Sequence, residues 1–125
     1  MKKKERVAGI VACSNEYIRY NRIMGKQEIK QKIREAVEKD PLKDNIQKVS
    51  LFGSYVRGDF KDDSDVDVLI EFTPTAKISL FKYFDIKENI EEHTRKKIDL
   101  LTFESLSKFF RDEVIKEAET IYEKR

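Results

Sequence analysis

The densest chemistry in this sequence lies between Gly53 and Asp67, where Gly53-Ser54 is followed after ten residues by Asp65-Val66-Asp67. Asp65 and Asp67 are two apart, so in an extended strand both carboxylates leave the same face, with Cα atoms roughly 6–7 Å apart. From that spacing they can converge on one hard cation, or straddle two that lie about 3.5–4 Å apart. Two like charges on one face oppose strand formation unless a metal or a basic partner neutralises them. Val66 and Val68 alternate with them and are predicted to enter the core. A third acid, Asp99, sits in the apolar run Ile98-Asp99-Leu100-Leu101. Burying an acid there is costly unless it faces a metal or a substrate hydroxyl, so Asp99 is predicted to be a metal ligand or a general base. Gly53 lets the backbone approach a ligand closely, while the Ser54 hydroxyl and the N–H groups of a helix start can hold phosphate oxygens. Arg57 suits the same anion, and equally suits a surface pair with Asp59.

A calcium loop is the obvious competitor for Asp63, Asp65 and Asp67. It fails at two places: the sixth position is Val68 rather than Gly, and the twelfth is Pro74 rather than Glu.

The surrounding elements follow from periodicity. Ile29, Ile33, Ala36 and Val37 mark one face of an amphipathic helix from Gln27, predicted to end near Asp40 because Pro41 disfavours helical geometry before it. Residues 46–52 read as a strand closing on Gly53, and Gly53 to Gly58 as a turn into a short helix. Asp59 to Ser64 is a polar loop, and Val66 to Ile70 a second strand bounded by Pro74. A helix over about 79–93, a third buried-looking strand at Ile98 to Leu101, and a broken C-terminal helix leading into Ile121-Tyr122 complete the order. The predicted class is α/β (α+β), a small mixed β-sheet flanked by helices. Phe81 and Phe84 are predicted to be core. One ring of the adjacent pair Phe109 and Phe110 must face away from any single core face, which leaves a docking surface open there. His93 reads as a charged helix end rather than a catalytic base.

Composition bounds the rest. With 125 residues, 40% charged and 39% apolar, the chain suits one compact domain. The 26 basic and 24 acidic side chains nearly cancel, which argues against a nucleic-acid-coating protein. Residues 1–48 carry 13 basic and 7 acidic groups, whereas residues 49–125 carry 13 and 17. An acidic half that also holds the aspartates suggests bound cations. No apolar run is long enough for a membrane span, and one Cys with one His builds neither a disulfide nor a structural zinc site. A cytoplasmic location is expected. Residues 1–24 show no sustained period and are expected to form an N-terminal extension, with residues 25–125 the folded domain. Ile10-Val11-Ala12-Cys13 matches a lipoprotein cleavage box, but its apolar run of six residues is short for one.

Gly53-Ser54, ten residues, then Asp65-Val66-Asp67, with Arg57-Gly58 and Ser64 in place, resembles the signature of the DNA-polymerase-β-like nucleotidyltransferase superfamily. The chain is similar to its minimal nucleotidyltransferases over roughly residues 27–122, including Lys97-Ile98-Asp99-Leu100-Leu101. The resemblance implies a polymerase-β-like nucleotidyltransferase core. It implies that Ser54, with Gly53 and Arg57, contacts the triphosphate of ATP, and that Asp65, Asp67 and Asp99 bind Mg2+, two ions in all. Several minimal members pair with small helical HEPN toxins as type VII toxin–antitoxin modules, the nucleotidyltransferase being the antitoxin that transfers AMP from ATP to a toxin tyrosine. The resemblance therefore implies a protein adenylyltransferase with a HEPN partner. A core this bare is expected to borrow its acceptor site from that partner.

Two other readings stand beside it. One is an interaction protein that neutralises its partner by binding alone. The other is a nucleotidyltransferase for a small molecule or RNA, built as a homo-oligomer or with a separate binding subunit. The acidic balance of residues 49–125 counts against RNA.

Overall fold

The computed structural model describes residues 25–61 and 63–124. The expectations for residues 1–24, the extension and the cleavage-box match, lie outside the described residues. Helix α1 (Lys26–Glu38) leads into strand β1 (Ile46–Phe52), the one-turn helix α2 (Ser54–Arg57) and strand β2 (Val66–Phe72). Helix α3 (Leu80–Thr94), strand β3 (Ile98–Thr102), helix α4 (Lys108–Glu117) and strand β4 (Glu119–Glu123) follow. The four strands form one mixed sheet in the order β3-β2-β1-β4. β1 is antiparallel to both β2 and β4, whereas β2 and β3 are parallel and joined through α3.

Strand alternation divides the side chains between two layers. Val66, Val68 and Ile70 of β2, with Val49, Leu51, Ile98, Leu100 and Ile121, join the main core against Ile29, Ile33, Ile86 and Ile90 of α1 and α3. Among the described residues, the opposite face of the sheet is covered by α4 and the segment before it, where Val114 packs on Phe52 and Leu69 with Leu101 and Leu106 beside them. Because side chains alternate, Asp67 and Asp99 fall on this thinly covered second face. The helix ends are locally specified. Ser79 caps α3 by accepting the Lys82 N–H at 3.2 Å. Beyond α1, the buried Asp40 accepts the Leu42 N–H at 2.8 Å and Asn89 Nδ2 at 2.9 Å, which ties the end of α1 to α3.

Four expectations are corrected. The C-terminal segment is not only a broken helix: residues 119–123 form a fourth strand. Ile121 is its one buried apolar side chain, so its strand character comes from pairing with β1 rather than from its own pattern. β3, expected to be buried, lies at the edge of the sheet with only its Ile98–Leu100 face buried, and Asp99 is exposed. Asp65 lies just before β2, which begins at Val66. Phe81 and Phe84 are not core, being 84% and 47% exposed. The buried face of α3 runs through Ile86, Ile90 and Thr94, and the two rings fall off it. Phe109 and Phe110 are both exposed.

Two substitutions separate these layers. Ile33→Ala should lose about 2–5 kcal/mol in urea unfolding, because Ile33 is fully buried. Phe81→Ser should stay within about 0.5 kcal/mol of the parent. A large loss for Phe81→Ser would restore that ring to the core.

Candidate active site

The site forms where β1 ends and where the parallel strands β2 and β3 begin. Register does the assembly. Phe52, the last residue of β1, pairs with Asp67, and Asp67 pairs with Asp99 across the parallel ladder. Two carboxylates that are 32 positions apart in sequence thus stand side by side on one face.

Gly53 follows Phe52 with φ +79° and ψ −149°, a conformation that side-chain-bearing residues avoid. The Asp67 carboxylate packs directly on its Cα. A Cβ there would overlap the carboxylate oxygen and stand 3.0 Å from Asp67 Cγ. From this sharp turn the chain enters α2, with the Gly53 carbonyl accepting the N–H groups of Val56 at 3.0 Å and Arg57 at 3.1 Å. Gly58 closes the turn in the left-handed region, its N–H donating to the Ser54 carbonyl at 2.9 Å. The buried Tyr55 ring stacks on Phe60 at 4.1 Å and pins the turn to the core. Ser54 is left half-buried at the first position of α2, and its hydroxyl bonds to no described residue.

Charge is concentrated at this end of the sheet. Burial, with Asp99 and Asp65 nearby, pushes the half-buried Asp67 carboxyl up to about 6, and Arg57 opposes the shift only partly. Tyr83 of α3 donates its hydroxyl to the Leu100 carbonyl, and burial together with Asp99 raises its pKa. A cluster of hard oxygen donors that disfavours its own ionisation suits a divalent cation. Asp67 and Asp99 are the pre-set pair, and Asp65 is the exposed flank. Among the described residues, no three His, Cys, Asp or Glu side chains are already gathered around one cation position. The register sets the backbones of Asp67 and Asp99 side by side.

Arg57 makes the expected surface pair with Asp59 and a second pair with Glu117. Its Nε lies 3.5 Å from Asp59, and its Nη1 lies 3.3 Å from each oxygen of Glu117. Glu117 is the residue that sequence reasoning missed. It ends α4 and accepts the Gly53 N–H at 2.8 Å, across 64 positions. No motif marks it, since its role depends on where α4 lands on the sheet.

The assembled elements correspond to a known domain. Residues 31–125 match the family model described as polymerase beta nucleotidyltransferase. The chain belongs to the polymerase beta nucleotidyltransferase family. It is a nucleotidyltransferase, and the expected core is present. A Methanocaldococcus jannaschii protein assigned as a protein adenylyltransferase is 36% identical over 77 residues, covering 62% of this chain and 81% of the relative. A solved minimal nucleotidyltransferase superposes with a TM-score of 0.63 at 27% identity, over 77% of this chain and 95% of that one. The same fold, at a TM-score of 0.55 and 17% identity, occurs in a complex of an MNT antitoxin with a tri-AMPylated HEPN toxin from Shewanella oneidensis, covering 79% of this chain and 73% of that one. Among the described residues, no helix is long and apolar enough to cross a membrane.

The raised Asp67 pKa has a thermodynamic consequence. The folded state holds the proton more tightly than the unfolded state, so the Asp67 contribution to metal-free stability is fully present at low pH and is lost as pH rises from about 4 to about 6. Discounted for solvent screening, the loss is about 1–2 kcal/mol. Asp67→Asn should flatten that slope and be more stable than the parent at pH 8. Urea unfolding in EDTA across pH 4–8 measures it, and identical slopes in both proteins would contradict the assignment.

Proposed function

We propose that this protein transfers AMP from ATP to a tyrosine hydroxyl of a HEPN-type toxin and so acts as its antitoxin. The single observation that carries the chemistry is the Asp67 carboxylate packed against Gly53, with Asp99 in register beside it. This puts the acids expected to hold cations next to the turn expected to hold phosphates. Protein acceptors are supported by the 36%-identical relative assigned as a protein adenylyltransferase. The HEPN partner is supported by the AMPylated toxin bound to a fold neighbour, and by the sequence resemblance.

In this reading Ser54 and the Gly53 turn receive phosphate oxygens, and Arg57 offers a guanidinium to the same triphosphate. Asp65, Asp67 and Asp99 are the Mg2+ ligands. When bound, the metal neutralises the triphosphate and lowers the pKa of the acceptor hydroxyl. Asp99, exposed at the sheet edge, also accepts the hydroxyl proton. The acceptor oxygen attacks the α-phosphorus in line. The bond from that phosphorus to the β-phosphate bridging oxygen breaks, pyrophosphate leaves, and AMP remains on the tyrosine. The exposed edge of β3 leaves Asp99 accessible to a hydroxyl on another protein.

The test is the intact mass of the cognate HEPN protein after incubation with this protein, ATP and Mg2+. AMP-sized increments are expected, and Asp65→Asn/Asp67→Asn should reduce transfer by at least about 10²-fold while remaining folded. Undiminished transfer by the double variant would overturn the carboxylate assignment. Protection from the toxin by the variant, with no increment from either form, would favour neutralisation by binding alone.

A further inference from the structure

Glu117 occupies the donors that the proposed function assigns to phosphate. Its Oε1 accepts the Gly53 N–H at 2.8 Å, and both of its oxygens lie 3.3 Å from Arg57 Nη1. A backbone N–H and a guanidinium converging on one carboxylate form the donor pattern that a phosphate oxygen also takes. Among the described residues, Glu117 is the one acid in hydrogen-bond contact with both groups, since Asp59 reaches only Arg57. We propose that Glu117 is an internal competitor of the triphosphate, holding the Gly53 amide and Arg57 until nucleotide displaces it. The inference rests on the nucleotidyltransferase reading and deepens it, by assigning Glu117 as a positioning residue that sets nucleotide affinity.

Competition, rather than support, follows from donor capacity. Arg57 carries five N–H donors and can serve two anions at once. The Gly53 amide has a single proton, so a short bond to Glu117 excludes an equal bond to phosphate. Electrostatics agrees, because Glu117 adds negative charge beside Asp67, where a triphosphate must arrive. The anchoring of α4 specifies how Glu117 can leave. Only Ala118 separates α4 from β4, and Glu119 is already paired with Leu51 of β1. The helix end is therefore held in the sheet, and release is a rotation of the Glu117 side chain.

The experiment measures binding of a non-hydrolysable ATP analogue in Mg2+ by titration calorimetry, with KM and kcat of transfer alongside. Glu117→Ala should bind about three- to tenfold more tightly, and Glu117→Gln should fall between it and the parent. KM for ATP should drop in parallel, with kcat within about twofold of the parent. Glu113→Ala removes the same charge from an exposed position one turn earlier on α4 and should leave affinity within about twofold of the parent. Weaker binding by Glu117→Ala, or a gain matched by Glu113→Ala, would overturn the competition and leave the enzymatic reading intact. Failure of every form, the parent included, to bind the nucleotide would overturn both.

Discussion

The contact between the Gly53 Cα and the Asp67 carboxylate is the constraint on which the rest of the site depends. It brings the turn that leaves β1 against the acid in the second position of β2. Only a residue without a Cβ can accept the φ of +79° and the carboxylate against it. The antiparallel β1–β2 register delivers Phe52 opposite Asp67, and Gly53 is the next residue out of the strand. A one-residue slip would turn Asp67 into the core and bring Val68 or Val66 to the turn. The buried valines on the other face resist that slip, so core packing keeps the carboxylate in place.

Charge arrangement is the second theme. Asp67, Asp99 and Asp65 crowd one end of the sheet, with Glu117 nearby, and Arg57 offsets them only in part. An apolar fold gains nothing from such a cluster, and Asp67 responds by holding its proton to about pH 6. A cation at the carboxylates would relieve the tension, as would exchange of Glu117 for an anion that brings cations with it. Both changes suit a nucleotide carried as its magnesium complex. Among the described residues, the second face of the sheet carries a small apolar contact made by Val114 of α4 with Phe52 and Leu69.

Local chemistry was legible in the sequence, and long-range placement was not. The Gly53-Ser54 turn, the Asp65-Val66-Asp67 stretch and the strands around them follow from alternation and glycine positions within about twenty residues. Asp99 was readable as an anomalous acid in an apolar run, but the edge position of β3 was not, because an edge strand buried on one face has the same apolar spacing as an interior one. Residues 119–123 look like a fraying helix end, since a strand with one buried side chain carries almost no period. Phe81 and Phe84 misled because large rings weigh heavily in any apolar pattern, whereas the buried face of α3 is set by Ile86, Ile90 and Thr94. Glu117 carries no signal of its own among many glutamates. Its contact with Gly53 exists only after α4 has folded back over the sheet.

The measurement that bears most directly on this account is Mn2+ binding, followed by water-proton relaxation in the presence of a non-hydrolysable ATP analogue. It compares Gly53→Ala with Gly58→Ala. Both glycines have positive φ, but a Cβ at Gly58 meets nothing within 4 Å, so the second variant carries left-handed backbone strain without displacing a carboxylate. The account predicts that Gly58→Ala stays close to the parent and that Gly53→Ala, still folded, loses the metal–nucleotide complex. Equal binding by the two variants would contradict it, because Asp67 would then need no glycine beside it to do its work.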